Sequence, residues 1–164
     1  MSSEDLESHV HTIIRDMTLS EWKPDYIVGI TRGGLTPANM LSQYLNIPMM
    51  SLDVSLRDSD VGPTSNCCMS EDAFAGKKIL VVDDINDSGE TLQWIVDDWQ
   101  TSCLPNEPKW NDIFGDNVRF AVLVNNESSD FKNISYSSMG INKADEEVWI
   151  VFPWENWWKR KHNQ

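Results

Sequence analysis

The stretch "VVDDINDSGETL", residues 81–92, starts with the pattern of a strand and ends with that of a helix. Its apolar start is typical of a buried strand, and the apolar spacing that follows Leu92 predicts a helix docked on a sheet. Between these elements lie Asp83, Asp84 and Asp87, whose carboxylates repel one another. We therefore expect a ligand here that supplies a cation or several hydroxyl groups.

The second half of this stretch suits a phosphate group. Ser88 and Gly89 permit a tight turn whose backbone N–H groups point inward, and a helix starting near Glu90 adds its positive end. In the first half, Asp83 and Asp84 offer acceptors for vicinal hydroxyls or ligands for a hard divalent cation. A sugar phosphate combines these features, whereas an acidic surface turn is the simpler alternative.

Strand-like and helix-like segments alternate along the chain. The first helix is expected near 4–19. A second helix follows the loop at 31–34, and Pro37 fits the first turn of this second helix. The predicted strands are 25–30, 47–54, 77–84, 118–124 and 147–152. This order predicts an α/β fold, with a mainly parallel sheet flanked by helices and ligands bound beyond the carboxyl ends of its strands.

Two long segments have no clear period and are rich in polar residues. Residues 55–76 are expected to form a functional, flexible loop, and residues 101–117 look like an insertion. We see no domain boundary, so residues 1–164 are expected to form a single domain.

Composition excludes several classes of function. The net charge of −13 disfavours nucleic acid, and no apolar run approaches the roughly 18 residues that span a membrane. The three histidines lie near the termini, which argues against a Ser-His-Asp triad or a histidine metal site. The N-terminus does not look like a signal peptide, and the three cysteines fit reduced thiols in a cytoplasmic protein.

Three ordered matches resemble the type I phosphoribosyltransferases. The stretch at 81–92 resembles the loop with which that family binds phosphoribosyl diphosphate (PRPP). "KPDYIVGITRGGLTPANMLSQYLNIP" is similar to its first strand and Arg-Gly-Gly turn, and "VWIVFPWE" to the C-terminal motif of the xanthine-guanine branch. The resemblance implies that family's fold, with a flexible loop at about 55–76 and a small C-terminal hood at about 125–164.

The resemblance also implies roles for individual residues. Asp83 and Asp84 would hold the ribose hydroxyls and, with Glu155, Mg²⁺; Asp87 would exchange a proton with the base and Arg32 would assist departure of pyrophosphate. The PRPP-binding set would be Arg32, Gly33, Asp83, Asp84, Ile85, Asn86, Asp87, Ser88, Gly89, Glu90 and Thr91. A cis peptide without proline often occurs in the Arg-Gly-Gly turn of this family.

The base and closing-loop residues follow in the same way. Trp149 would stack on the base, with core packing as the alternative, and Ile150 would also contact the base. In the flexible loop, Ser55 and Arg57 are the candidates, with Leu56 where the family usually has a tyrosine.

One departure from the family pattern concerns the lysine that reads the 6-oxo group of the base. Alignment on the strand 118–124 places Asn125 or Asn126 at that position, and Lys132 lies further along. An amide both donates and accepts hydrogen bonds, so this position leaves the identity of the base open.

The expected activity is Mg²⁺-dependent transfer of 5-phosphoribose from PRPP to a purine base, a 6-oxopurine, with release of pyrophosphate, in nucleotide salvage. The alternatives are a non-catalytic regulator that binds PRPP and a phosphoribosyltransferase with another acceptor, while a metal-dependent phosphatase ranks last. Family members usually pair subunits, so we expect a homodimer or higher homo-oligomer.

Overall fold

The computed structural model describes residues 1–54 and 67–159. The helices are α1 Ser3–Leu19, α2 Leu35–Leu45, α3 Cys67–Phe74, α4 Glu90–Ser102 and α5 Trp110–Ile113, followed by a 3₁₀ turn at Trp157–Lys159. The strands are β1 Tyr26–Thr31, β2 Met49–Asp53, β3 Ile79–Asn86, β4 Val118–Asn126 and β5 Tyr136–Ile141.

These strands form one five-stranded parallel sheet in the order β2-β1-β3-β4-β5. The chain runs from β1 outward to β2 and then returns to β3 on the other side of β1. The carboxyl ends of β1 and β3 therefore flank the point where the strand order reverses, which is where open α/β sheets bind ligands. The predicted α/β fold is confirmed.

Helices cover both faces of the sheet. Successive side chains of a strand point to opposite faces, so those of the central strands are buried on both sides. In β3, Leu80 and Val82 join the core beneath α1 and α2, whereas Ile79 and Val81 join the core shared with α4. All four are fully buried, which explains the continuous apolar run in the sequence.

The last strand differs from the prediction. Residues 147–152 form no strand, and the fifth strand is instead β5, Tyr136–Ile141. This strand, "YSSMGI", lies at the edge of the sheet and contacts α1 partly through polar groups, as in the 2.6 Å contact between His9 Nδ1 and Ser138 Oγ. Its serines and glycine hide the apolar alternation on which strand prediction depends.

Two polar segments contain more structure than the sequence indicates. Helix α3 falls within 55–76, and Ser55 and Arg57 lie outside the described residues. In the predicted insertion, Trp110 and Ile113 are buried and Trp110 Nε1 donates to the Cys103 carbonyl at 2.8 Å. No helix in the described ranges is long and apolar enough to cross a membrane.

Candidate functional site

The turns after β1 and β3 meet at the carboxyl edge of the sheet. The Thr31–Arg32 peptide bond is cis, as the family resemblance implied. Gly33 lies so close to the Asp84 carboxylate that a Cβ at this position would be 2.1 Å from Oδ2. The absence of a side chain at Gly33 is therefore what allows the Arg-Gly-Gly turn and the acidic pair to share one edge.

Asp83 and Asp84 form an acidic pair near the carboxyl end of β3. Burial raises the pKa of Asp83 well above the ordinary carboxyl value, and the charge of Asp84 raises it further. Burial also raises the pKa of Asp84, and the nearby charge of Glu155 adds to that effect. Neither aspartate forms an ion pair with a cationic side chain in the described part of the chain.

The loop between β3 and α4 presents unused backbone donors. Gly89 caps α4 with a φ of +92°, a conformation that favours glycine. The N–H groups of Ser88 and Gly89 make no hydrogen bond to any residue within 1–54 or 67–159, and Ser88 Oγ accepts from Glu90 N–H at 3.3 Å. Free N–H groups at the start of a 13-residue helix form a site suited to an anion.

A buried amide network holds this loop in place. Asn86, which is 1% exposed, donates from Nδ2 to Asn125 Oδ1 and to the Phe131 carbonyl, both at 2.9 Å. Ser129 Oγ donates to Asn86 Oδ1 at 2.9 Å, and Asp130 N–H donates to the Ser88 carbonyl at 3.1 Å. The segment after β4 thus fixes the shape of the loop after β3.

Asn126 forms a second connection, and its amide is engaged by neighbouring groups. Its Nδ2 donates to the Asp87 carbonyl at 3.0 Å, while Oδ1 accepts from Lys143 N–H at 3.0 Å and from Ser128 Oγ at 2.9 Å. The side chain is buried, with 5% exposure. Asn126 therefore positions the backbone at Asp87 and Lys143.

Lys143 and Trp149 complete the rim beside Asp87. Lys143 Nζ lies 3.0 Å from Asp87 Oδ2 and 5.7 Å from the centroid of a Trp149 ring. The Trp149 side chain is 82% exposed, so core packing does not account for it. A flat aromatic surface thus stands open next to a carboxylate and an ammonium group.

The other predicted site residues are distributed around this edge. Arg32 is exposed and its guanidinium makes no hydrogen bond to a described residue, whereas Ile150 packs against the core beneath α1 and α2. Glu155 Oε1 accepts from Phe152 N–H at 3.0 Å. Lys132 Nζ donates to the Glu127 carbonyl at 2.7 Å and thus stabilises its own loop.

The acidic pair offers the hard oxygen ligands that Mg²⁺ prefers. However, no group of three or more His, Cys, Asp or Glu side chains in the described ranges is arranged to hold a metal ion. The acidic pair therefore suits a cation that takes its remaining ligands from a bound substrate and from water. Mg²⁺ beside phosphates is usually bound in this way.

A doubly wound parallel sheet with a glycine-containing helix-start loop and an acidic pair at its switch point is the arrangement with which α/β proteins commonly bind nucleotides and sugar phosphates. Residues 2–158 match the model of the family described as the phosphoribosyl transferase domain, and the chain belongs to this enzyme family.

Named relatives fall in the same family. The hypoxanthine-guanine phosphoribosyltransferase of Schizosaccharomyces pombe is 26% identical over an alignment 166 positions long, and the match covers 84% of this chain and 79% of the relative. Xanthine phosphoribosyltransferase 1 of Saccharomyces cerevisiae is 24% identical over an alignment 163 positions long, and the match covers 81% of this chain and 78% of the relative.

Among solved structures, the Helicobacter pylori xanthine-guanine-hypoxanthine phosphoribosyltransferase superposes with a TM-score of 0.68 at 22% identity. The match covers 96% of this chain and 93% of that one. At this level of identity the likeness establishes the shared fold.

Lys143, which lies beside Asp87 and Trp149, is a residue of this edge that the sequence did not predict. The family pattern places a lysine directly after β4, whereas Lys143 follows β5. The available signal was its position six residues before Trp149, in "NKADEEVW".

Proposed function

We propose that this protein transfers 5-phosphoribose from PRPP to a purine base, a 6-oxopurine, and releases pyrophosphate, as a step in nucleotide salvage. The observation that carries the proposal is the edge at which the acidic pair precedes the loop with free N–H groups, while the exposed Trp149 ring is joined to that loop through Lys143 and Asp87. The family membership and the names of the relatives above support the same reaction.

The 5-phosphate of PRPP would bind the loop from Asp87 to Thr91, where backbone N–H groups and the dipole of α4 supply positive potential. The ribose 2- and 3-hydroxyls would donate to Asp83 and Asp84. Arg32, exposed on the neighbouring turn, would pair with the pyrophosphate oxygens. Each part of the substrate thus meets a group of complementary chemistry.

Asp83 and Asp84 would hold Mg²⁺ together with substrate oxygens and water. Glu155, the third metal residue that the resemblance implied, would act from outside the direct ligand set, because no three such side chains in the described ranges are arranged to hold a metal ion. When bound, the cation neutralises charge on pyrophosphate and so makes it a better leaving group. A cation would also favour the ionised form of both aspartates, whose pKa values are raised first by burial and then by neighbouring negative charge.

The base would stack on Trp149 with its reacting nitrogen directed toward the ribose C1. In the reaction, the bond from C1 to the pyrophosphate oxygen breaks and the leaving group keeps the electron pair. A new bond forms between C1 and the base nitrogen, and the proton lost from the base passes to Asp87 or to water. Positioning and charge stabilisation supply most of the rate, since the ribose passes through an oxocarbenium-like state.

The proposed setting is cytoplasmic, with PRPP and a purine base as substrates. A homodimer or higher homo-oligomer is also proposed, on the basis of the family's habit of pairing subunits.

The test is pyrophosphate release from PRPP with Mg²⁺, measured separately with guanine, xanthine, hypoxanthine, adenine and uracil. We expect turnover with at least one 6-oxopurine and its loss on addition of EDTA. Asp84→Asn is expected to lose PRPP binding, and Asp112→Asn, at an exposed position of α5, serves as the matched control.

If no base gives turnover but calorimetry shows clear PRPP binding, the protein is instead a regulator that binds PRPP. Turnover with uracil or adenine alone would replace the 6-oxopurine with another acceptor.

A further inference from the structure

We infer that Lys143 is the residue that recognises the 6-oxo group of the base, taking the place of the lysine that the sequence lacks after β4. This inference rests on the proposed function. The base-reading residue would then lie after β5, whereas the sequence suggested Asn125, Asn126 or Lys132, which lie at the end of β4 or after it.

The ammonium group of Lys143 lies at the place where a base edge would be. It is 3.0 Å from Asp87 Oδ2 and 5.7 Å from the centroid of a Trp149 ring. Trp149 is 82% exposed, and a planar base stacked on its ring would have its edge beside the ammonium group. The Lys143 side chain itself is 25% exposed, so most of it is already withdrawn from solvent.

The backbone of Lys143 is anchored to the sugar-phosphate loop. Its N–H donates to Asn126 Oδ1 at 3.0 Å, and Asn126 Nδ2 donates to the Asp87 carbonyl at 3.0 Å. One buried amide therefore fixes the separation between the residue that would read the base and the loop that would hold the ribose phosphate.

Of the three competing candidates, Asn126 and Lys132 are engaged elsewhere, and Asn125 is held at its amide oxygen. Asn126 uses both ends of its amide on backbone and hydroxyl groups, and Asn125 Oδ1 accepts from Asn86. Lys132 Nζ donates to the Glu127 carbonyl. Within residues 1–54 and 67–159, Lys143 is the residue whose cation is paired with Asp87 and also lies over the Trp149 ring.

The chemistry of an ammonium group decides the specificity. Lysine donates hydrogen bonds and accepts none, so it pairs with the carbonyl oxygen of a 6-oxopurine and leaves the 6-amino group of adenine without an acceptor. Asp87 holds the ammonium group before the base arrives, and this half-exposed pair is weak enough to exchange for the base.

The experiment compares Lys143→Met with Lys132→Met as the matched control, since Lys132 bonds only to its own loop in the described structure. For Lys143→Met we expect kcat/KM with the preferred 6-oxopurine to fall about 10- to 100-fold, the range for losing a charged hydrogen bond. We expect KM for PRPP to stay within about twofold and the preference over adenine to shrink by a similar factor. Lys143→Arg, which keeps a cationic donor, is expected to recover part of the activity.

This inference would be overturned, and the proposed function left intact, if the wild-type enzyme acts on a 6-oxopurine and Lys143→Met has the same kcat/KM as Lys132→Met. Equal losses with every base and a raised KM for PRPP would also overturn it, because they would make Lys143 a support for the Asp87 loop. A wild-type protein without turnover on any base would remove the proposed function, and this inference with it.

Discussion

Replacement of Gly89 by alanine tests how closely the ligand loop is packed against the sheet edge. An alanine here would keep a φ of +92°, and its Cβ would lie 2.6 Å from Phe131 Cβ and 2.7 Å from the Phe131 backbone nitrogen. The left-handed conformation costs about 1–2 kcal/mol for a residue with a side chain. Forcing a carbon into filled space costs about 1–3 kcal/mol more.

The expected loss of unfolding free energy for Gly89→Ala is therefore about 2–5 kcal/mol, a large part of the roughly 5–15 kcal/mol of a typical domain. Two other glycines serve as matched controls. Gly76 has a φ of +91° with nothing within 4 Å of an added Cβ, so Gly76→Ala should cost only the conformational term of about 1–2 kcal/mol. At Gly115, with a φ of +101°, the Cβ would meet the movable end of Asn133 at 3.1 Å, so the cost should be only slightly larger.

The measurement is urea unfolding of the three variants at one temperature, followed by calorimetric titration with PRPP. Gly89→Ala should also lose PRPP affinity, because relief of the contact with Phe131 displaces the N–H groups of the loop, whereas Gly76→Ala should bind normally. Equal destabilisation by Gly89→Ala and Gly76→Ala would refute the packing argument.

Three further predictions follow from the site. Gly33→Ala should abolish PRPP binding in calorimetry with little loss of melting temperature, since its Cβ would displace the Asp84 carboxylate; normal binding would contradict the close approach. Because the pKa values of Asp83 and Asp84 are both raised in the folded state, metal-free protein should lose stability as pH rises from the ordinary carboxyl range through those raised pKa values. Asp84→Asn should flatten this profile in thermal melts with EDTA, and an unchanged slope would contradict the assignment. Trp149→Ala should change stability by less than about 0.5 kcal/mol while raising KM for the base, whereas Trp110→Ala, at a site 3% exposed, should cost about 3–5 kcal/mol in urea unfolding. A normal KM for the base in Trp149→Ala would argue against stacking.

The sequence was sufficient to predict the central strands because both of their faces are buried. Ile79 to Val82 form a continuous apolar run. The polar loop after that run ends at helix α4, whose regular apolar spacing makes its start recognisable in the sequence. The fold class and the position of the ligand edge follow from these local patterns.

The edge strand and the base side of the site were not predictable in this way. Tyr136–Ile141 carries serines and a glycine, and its place in the sheet depends on hydrogen bonds to β4 and contacts with α1. The residues "EVWIVF" look like a strand, yet Trp149 and Val151 are exposed there. The ion pair between Lys143 and Asp87 joins residues 56 positions apart, and no local spacing encodes it.

The two parts of the ligand edge, the proposed sugar-phosphate side and the proposed base side, should tolerate substitutions differently. The proposed sugar-phosphate contacts come largely from backbone groups and glycines fixed by the sheet, where most substitutions meet a steric penalty. The proposed base contacts come from side chains on the segment after β5, where the described residues contain a single 3₁₀ turn. Substitutions on the proposed base side should therefore cost less folding free energy than substitutions at Gly33 or Gly89, so a change of acceptor is easier for this fold to accommodate than a change of donor.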